Sequence, residues 1–408
     1  MKFRFAIVAL ATASFSLAFA QTPTPTPTPQ PQPQPSPQPM QATAAVEVPP
    51  APEPVATSWI LMDYTTGQVL AGENYDERVE PASITKVMTS YVLAAEQQNG
   101  KIKPDDQVML SERAWREGGA RTDGSYSGFA VNQTARLRDM EIGMAVQSGN
   151  DAAIALAEHA AGSQEAFASL MNSYAKRIGM KGSNFVNAHG LSAPEHYSTA
   201  HDLARLGRAM IRDYPEAYAY NKIKEFTVGT ITQPNRNLLL WRDPSVDGIK
   251  TGHHSGAGYC LMSSALRGDQ RLIAVVMGST SEKQRATDSL ALLNWGFRFF
   301  ETHRLYETGK KIAEHRVWKG KADQVQLGVA QPLLVGIARG RYGDLKPTMD
   351  VPKVLEAPIT KGQALGTVKV TLDGKLVAQS TLVALEAVEE GGFFSRLWDS
   401  FWMWWEST

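Results

Sequence analysis

The stretch SITKVMT at residues 83–89, with Pro81 just before it, decides how the rest of the chain is interpreted. Ser83 and Lys86 stand three apart at the head of residues 84–97, whose apolar positions have helical periodicity. Side chains three apart on a helix are neighbours, so the Lys86 amine can reach the Ser83 hydroxyl. A serine needs a base to become nucleophilic, and a desolvated lysine near other cations has a lowered pKa. The spacing therefore predicts a nucleophile at Ser83 and its base at Lys86.

A second motif, Ser148-Gly149-Asn150, precedes an Ala-rich helical run. Alone it predicts nothing more than a turn. Beside an activated serine, however, Ser148 could relay a proton and Asn150 could hold a substrate amide.

The third motif, Lys250-Thr251-Gly252, falls on a predicted strand. Lys250 would bring a second cation that further lowers the pKa of Lys86. A strand beside a cleft can pair with an extended peptide, leaving Thr251 to bind the end of that peptide. Gly252 lets the backbone pass close to a ligand. A lone Ser-x-x-Lys is usually a solvated helix face, but the three motifs in this order predict one catalytic cleft.

With these motifs the chain resembles the low-molecular-mass penicillin-binding proteins that act as serine-type D-alanyl-D-alanine carboxypeptidases. The resemblance runs from about Trp59 to the last residue. It also rests on Gln147 to Ala152, Asn184 to Leu191, Lys224 to Thr227, Asn235-Arg236-Asn237, Val246 to His253 and Asn294 to Phe297.

The resemblance implies an acyl-enzyme on Ser83, formed with Lys86 as base on a stem peptide ending in D-Ala-D-Ala. Ser148 would protonate the leaving D-alanine or assist water, while Asn150 and Lys250 shape the site. It also implies an oxyanion hole from the backbone amides of Ser83 and His253. Thr251, with Arg236 and Arg285 nearby, would recognise the terminal carboxylate, and Gly252 is a further substrate-binding residue. β-Lactams are then expected to be covalent inhibitors.

Three alternatives stay open on the sequence. A class A β-lactamase would carry a Glu-x-x-Leu-Asn loop between Ser148 and Lys250, which is missing here, and Asp in place of Gly149. A D,D-endopeptidase would share the motifs but commonly lacks the β-rich domain and the terminal helix. A non-catalytic scaffold that binds peptidoglycan would not need an activated serine.

The order of the predicted elements is strands, helices, then strands and a helix, which favours an α+β fold with an antiparallel sheet and a helical subdomain. We predict five segments: a signal peptide at 1–20, a Pro-rich disordered linker at 21–56, the catalytic domain at 57–302, a small β-rich domain at 303–390 and an amphipathic membrane-anchoring helix at 391–408. Within the catalytic domain, 138–161 has helical periodicity, with the turn of Ser148-Gly149-Asn150 inside it.

Composition and residue spacing limit the classes of partner and cofactor that we expect. Acidic and basic residues balance at 41 each, so nothing drives the chain toward nucleic acid. Cys260 is the only cysteine, which excludes an internal disulfide and favours a small buried core residue there. No His/Asp/Glu grouping has metal-ligand spacing and no phosphate-binding loop follows a strand, so we expect no metal and no cofactor. The oligomeric state is open, with a dimer among the alternatives.

The last residues predict a membrane-surface helix. Phe393, Leu397 and Phe401 recur every fourth residue, as do Phe394, Trp398 and Trp402, and polar residues fill the other face. Such a helix is too short to span a bilayer but suits its interface. Docking on the β-rich domain is the alternative. Together with the predicted signal peptide, the helix predicts a periplasmic protein, peripherally bound to the outer face of the bacterial inner membrane.

Overall fold

The computed structural model describes residues 47–119, 122 and 124–406. The predicted signal peptide and residues 21–46 of the predicted linker lie outside the described residues. The helices are α1 (Thr85–Gln98), α2 (Glu112–Gly118), α3 (Leu137–Val146), α4 (Asn150–Ala161), α5 (Gln164–Arg177), α6 (Ala200–Asp213), α7 (Pro215–Tyr218), α8 (Leu239–Arg242), α9 (Glu282–Phe299) and α10 (Phe393–Glu406). The strands are β1 (Ser58–Asp63), β2 (Val69–Glu73), β3 (Gln107–Met109), β4 (Thr134–Arg136), β5 (Glu225–Val228), β6 (Ile231–Pro234), β7 (Val246–His254), β8 (Gly258–Arg267), β9 (Gln270–Ser279), β10 (Phe300–Tyr306), β11 (Ala313–Arg316), β12 (Gln324–Val329), β13 (Leu333–Ala338), β14 (Lys346–Asp350), β15 (Ala364–Leu372) and β16 (Lys375–Ala384).

A five-stranded antiparallel sheet in the order β2-β1-β9-β8-β7 forms the centre of the first domain. Alternate residues of β1 belong to different cores: Ile60 packs with the helices α1 and α6, whereas Leu61 packs with α9. Because both faces are covered, the central strands are almost continuously apolar. This arrangement confirms the predicted α+β fold.

Helix α1 passes through the middle of the helical side and is buried over most of its length. Neighbouring helices begin at residues whose side chains satisfy the first free backbone amides. Thr199 accepts from the amide of Asp202 at the start of α6, and Ser281 does the same for Gln284 at the start of α9. These caps fix where the helices begin, and through them the position of the loops around α1.

The helical periodicity over 138–161 belongs to two helices, α3 and α4, which are separated at residues 147–149, where the second motif predicted a turn. Ser148 at the break has a positive φ of 63°, a conformation that a non-glycine residue seldom adopts. The break turns Ser148 and the start of α4 toward the loop over 81–83. Periodicity alone does not show the break, because apolar residues continue on both sides of it.

The end of the predicted disordered linker packs on the first domain instead. Residues 48, 51 and 56 contact the core beneath α9, and the indole of Trp295 donates to the carbonyl of Pro49 at 3.1 Å. The backbone amide of Val55 also donates to Asp288 at 3.3 Å. Several residues of 47–56 therefore contact the first domain, before the predicted boundary at residue 57.

The second domain is built on the five-stranded sheet β11-β12-β16-β15-β14 and the ribbon β10-β13. Strand β10 follows α9 directly and includes residue 303, where the sequence placed the domain boundary. The hydroxyl of Thr302 donates to Asp63 at 2.6 Å, so β10 is also tied to the first sheet.

Helix α10 contacts the second domain with its polar side. Asp399 accepts from the backbone amide of Lys319 at 2.6 Å, and Arg396 pairs with Glu390 at 2.9 Å. Phe394 and Trp398 on the other side are 82% and 65% exposed. Within the described part of the chain, no helix combines the length and the hydropathy needed to cross a membrane.

Candidate active site

A cleft of about 430 Å³ opens between edge strand β7, the loop before α1 and the break between α3 and α4. Eight of the residues predicted from the sequence line it: Ser83, Ser148, Asn150, Arg236, Thr251, Gly252, His253 and Arg285. The other two predicted residues, Lys86 and Lys250, are buried and point their amines at Ser83 and Ser148. Three distant parts of the sequence thus meet in one site.

Ser83 lies in a 3-10 turn, Ala82–Ile84, that leads into α1. The Lys86 Nζ atom, one turn further on, is 2.9 Å from the Ser83 Oγ atom. It also donates to the side-chain oxygen of Asn150 and to the backbone carbonyl of His189, each at 2.6 Å. An ammonium has three N–H donors, and these three oxygens use all of them.

The nature of those three oxygens determines what a neutral Lys86 can do. A neutral amine keeps two N–H donors and gains a lone pair. The oxygens of Asn150 and His189 can only accept, so both donors remain on them. The Ser83 hydroxyl can instead donate, which leaves the lone pair facing it. Deprotonation of Lys86 therefore produces a base aimed at Ser83.

Burial makes that neutral form accessible. Lys86 is 1% exposed, and desolvation is the main reason that its pKa falls to about 7. The Asp151 carboxylate opposes this effect, and the charge of Arg236 adds to it. Near neutral pH a substantial fraction of Lys86 is consequently uncharged.

Ser148 and Lys250 form a second pair across the cleft. The Lys250 Nζ atom donates to the Ser148 Oγ atom at 2.9 Å and to the carbonyl of Thr251 at 3.2 Å. Lys250 is 4% exposed, and burial, followed by the charge of Lys86, holds its pKa well below the usual range. A hydroxyl that accepts from a buried amine of lowered pKa can pass a proton to a neighbouring group and recover one from that amine.

Strand β7 lies against the turn that carries Ser83. A Cβ atom on Gly252 would stand 3.0 Å from the Ala82 Cβ atom and 3.2 Å from the Ser83 backbone nitrogen. Only a glycine allows this approach without displacement. His253 follows and stacks on Tyr259 of the paired strand β8, with ring centroids 4.0 Å apart.

The two predicted arginines occupy different environments. Arg285 is buried, and its guanidinium donates to the carbonyl of Gly252 at 2.9 Å, to that of Cys260 at 3.4 Å and to Glu282 at 3.3 Å. Arg236 is exposed at the cleft, and its guanidinium has no hydrogen bond or ion pair to another described residue. Arg285 thus supports the strand, whereas Arg236 faces the cleft.

Sequence reasoning missed several parts of the site. The backbone carbonyl of His189 accepts from Lys86. The next position requires glycine, because Gly190 has a φ of +87° and a Cβ there would stand 1.9 Å from the Ala82 carbonyl oxygen. Residues 122, 124 and 125 line the opposite wall. They carry no motif of their own, so only the fold brings them to the cleft.

His254 ends β7 and is partly buried at the cleft. Its Nδ1 atom accepts from the amide of Ala257 at 3.2 Å and lies 3.9 Å from Glu80, while its side chain is 16% exposed. Cys260 is fully buried, as expected. Among residues 47–119, 122 and 124–406, no group of three His, Cys, Asp or Glu side chains could hold a metal ion.

Comparison with known proteins agrees with this geometry. The family model described as D-alanyl-D-alanine carboxypeptidase matches residues 43–281, more than half of the chain. The chain belongs to this family of D-alanyl-D-alanine carboxypeptidases. A second model, the C-terminal domain of penicillin-binding protein 5, matches residues 300–390.

Individual carboxypeptidases are similar over nearly the whole chain. DacC of Escherichia coli K12 is 47% identical over 352 residues, which cover 85% of this chain and 88% of DacC. DacA of the same organism is 45% identical over 351 residues, covering 85% and 87%. The crystal structure of penicillin-binding protein 5 from Haemophilus influenzae is 42% identical, with a TM-score of 0.80, and covers 84% of this chain and 100% of that one.

The chain is therefore a serine D-Ala-D-Ala carboxypeptidase, a penicillin-binding protein of peptidoglycan metabolism in the cell envelope. This confirms the family, the fold class and the enzyme predicted from the three motifs.

Proposed function

We propose that this carboxypeptidase removes the terminal D-alanine of peptidoglycan pentapeptide stems through an acyl-enzyme on Ser83. The neutral Lys86 amine takes the proton of the Ser83 hydroxyl as its oxygen attacks the carbonyl between the two D-alanines. The observation that carries the proposal is the 2.9 Å contact between Lys86 and Ser83, made by an amine whose pKa is about 7.

Ser148 completes the transfer. As the tetrahedral intermediate collapses, the Ser148 hydroxyl gives its proton to the leaving D-alanine nitrogen and takes one from Lys250 or Lys86. In hydrolysis the same groups take a proton from the attacking water and return one to the Ser83 oxygen as the ester bond breaks. The backbone amides of Ser83 and His253 stabilise the oxyanion in both steps. All these groups belong to one chain, so the proposed chemistry needs no dimer.

Recognition of the terminal carboxylate falls to Thr251 and Arg236 in this proposal. Thr251 lies on β7 at the cleft, and Arg236 presents a guanidinium without a partner among the described residues. Arg285 acts through Gly252, whose carbonyl it holds at 2.9 Å. Asn150 keeps Lys86 in place and offers its amide nitrogen to the substrate.

Labelling with a fluorescent penicillin tests the nucleophile. Ser83→Ala should abolish covalent labelling and the release of D-alanine from a pentapeptide ending in D-Ala-D-Ala. Ser90→Ala on the same helix is the matched control and should keep both. Labelling that persists in Ser83→Ala would remove the assignment.

The same assays separate the alternative enzymes. Rapid hydrolysis of penicillin without release of D-alanine would favour a β-lactamase. Cleavage of crosslinked dimers but not of pentapeptides would favour an endopeptidase. Binding of stem peptides without any product would favour the scaffold.

We further propose that the chain acts in the periplasm, peripherally bound to the outer face of the inner membrane through residues 391–408. The support is the apolar side of α10, where Phe393, Phe394 and Leu397 are at least 61% exposed. The polar contacts of Arg396 and Asp399 orient that side away from the second domain. The same proposal includes export directed by a signal peptide at 1–20. It also includes a Pro-rich linker at 21–56.

A further inference from the structure

A second cavity, of about 370 Å³, opens beside the turn that joins β1 to β2. Its wall is unusually cationic. The lining residues are Met62, Thr66, Gly67, Arg177, Ile178, His201, Arg205, Arg208, Ala209 and Arg212, none of which lines the catalytic cleft. The four arginines come from the last turn of α5 and from one side of α6.

Part of the donor capacity of these arginines is already used. Arg208 donates through Nε and Nη2 to the carbonyls of Tyr64 and Thr65, at 2.6 and 3.0 Å. Arg212 donates through Nε and Nη2 to Asp213, at 2.6 and 2.8 Å, and Arg205 through Nη1 to Asp202 at 2.9 Å.

The rest of that capacity has no acceptor among the described residues. Unused donors are the Nη1 groups of Arg208 and Arg212, Nε and Nη2 of Arg205, and the whole guanidinium of Arg177, which lies 4.9 Å over the Tyr174 ring. These N–H groups border an open cavity and can bind a further group there.

The carboxylates nearby leave a positive excess. Asp202 and Asp213 pair with Arg205 and Arg212, so two of the four guanidinium charges have no carboxylate partner in the described part of the chain. Asp76 is occupied by His201, and Asp63 accepts from two threonine hydroxyls. An excess of two charges matches a doubly charged oxyanion better than a single carboxylate.

Helix stability explains only part of this arrangement. Arg177 and Arg212 stand in the last turns of their helices, where the helix dipole favours cations. Arg205 and Arg208 are interior to α6, and the spacing of Arg208 and Arg212 makes like charges neighbours, which destabilises a helix. Burial, followed by the charge of Arg212, also lowers the pKa of Arg208. A bound anion would relieve this repulsion.

We propose that the cavity lined by Arg177, Arg205, Arg208 and Arg212 binds a phosphate group, at a site separate from the carboxypeptidase cleft. Guanidinium groups bind phosphate oxygens through paired N–H donors, and four of them converge here. Gly67 contributes by its lack of a side chain, since a Cβ there would stand 3.2 Å from the Arg208 Nη1 atom.

Calorimetric titration of the full chain tests the proposal with two probes. Inorganic phosphate represents a soluble phosphate, and glycerol 3-phosphate represents the phosphomonoester headgroup of an anionic phospholipid; both approach a charge of −2 near neutral pH. Saturable binding of either probe supports the site. The probe that binds more tightly shows whether the bound phosphate comes from a soluble molecule or from a lipid headgroup. The absence of saturable binding for both up to about 10 mM, a very weak affinity, overturns it.

Substitutions locate the binding. Arg177→Gln and Arg205→Gln should each weaken the tighter probe about tenfold, as expected for the loss of a charge-assisted contact. Arg298→Gln is the matched control, because Arg298 also ends a helix and lies over an aromatic ring, and it should bind like the unchanged protein. Penicillin labelling of Ser83 in each variant checks that the protein is folded. Equal binding by Arg177→Gln, Arg205→Gln and the control would contradict the proposal.

Discussion

In the proposed mechanism, the burial of Lys86 affects both the stability of the fold and the catalytic step. Burying a cation is costly, and the protein offsets that cost with three oxygens around one amine. The same burial lowers the pKa of Lys86 to about 7, so the group can lose its proton where the enzyme works. Two of the oxygens cannot donate, and the geometry thereby selects the Ser83 hydroxyl as the proton donor.

The first prediction concerns pH. A base is active when neutral, so acylation of Ser83 by penicillin should rise as pH increases through about 7, the pKa of Lys86. Lys86→Arg keeps a cation that does not deprotonate and should slow acylation by about 10²–10⁴-fold, the usual contribution of a general base. Stopped-flow labelling with penicillin measures the pH dependence of acylation and the effect of Lys86→Arg. Lys101→Arg, at an exposed position, is the control. A flat pH profile in the unchanged enzyme would contradict the role of Lys86.

Glu141 provides a residue-scale test of stability. Burial raises its pKa to about 8, and its Oε2 atom has no hydrogen-bond partner among the described residues. The folded protein therefore holds a proton that the unfolded chain releases near 4.5, so this stabilisation is full below 4.5 and is lost as pH rises through about 8.

Glu141→Gln removes that titration while keeping the oxygen that accepts from Gln97 at 3.1 Å. We expect the variant to melt a few degrees higher than the unchanged protein at about pH 9 and nearly the same at about pH 4. Differential scanning calorimetry at both pH values measures this, with the exposed Glu77→Gln as control. If the melting temperatures of Glu141→Gln and the unchanged protein differ by the same amount at both pH values, Glu141 does not titrate as stated.

At the scale of elements, the site depends on how closely strand β7 approaches the 3-10 turn before α1. Periodicity places each element on its own, but the distance between them is set by the residue types at the contact. Gly252 and Gly190 are the two positions where a side chain would push the turn away, with a Cβ at 3.0 and 1.9 Å from atoms of Ala82.

Gly252→Ala should therefore reduce acylation more than stability. The added methyl group meets Ala82 and the Ser83 nitrogen, so β7 must shift by a few tenths of an ångström. A misplaced oxyanion hole typically costs about 10²-fold in rate. Measured acylation should fall by at least about tenfold with little change in melting temperature. Gly343→Ala is the control: an added Cβ there would have no atom within 4 Å, so neither acylation nor the melting temperature should change.

At the scale of the whole molecule, the second domain presents α10 at its surface. The helix has one basic residue, Arg396, against two acidic ones, Asp399 and Glu406. It has no cationic excess with which to bind anionic lipid. Aromatic and aliphatic insertion must then provide the proposed binding to the membrane.

Vesicle sedimentation tests that consequence. The double variant Phe394→Ser and Trp398→Ser should lose most of the binding, because both exposed side chains would enter the interface. Binding of the unchanged protein should vary little between low salt and about 0.5 M salt, since charge screening leaves apolar insertion intact. Leu376→Ser, another exposed apolar position of the second domain, is the control. Retained sedimentation of the double variant would reject the anchor.

The sequence by itself determined the nucleophile and base candidates, the order of the elements and the amphipathic terminal helix. These features are local: Ser83 and Lys86 are one helical turn apart, and their relation follows from the helix alone. The break at Ser148 is local too: the Ser148-Gly149-Asn150 motif predicts a turn, although the apolar periodicity continues through it.

Only the tertiary structure decided which groups surround those motifs. The His189 carbonyl that holds Lys86 lies 103 residues from it, and the arginine-lined cavity draws on α5, α6 and the turn after β1. The tertiary structure also places donors of Arg285 on Gly252, Cys260 and Glu282, contacts that the sequence did not predict. Such contacts depend on how helices and strands pack against one another, and no local periodicity carries that information.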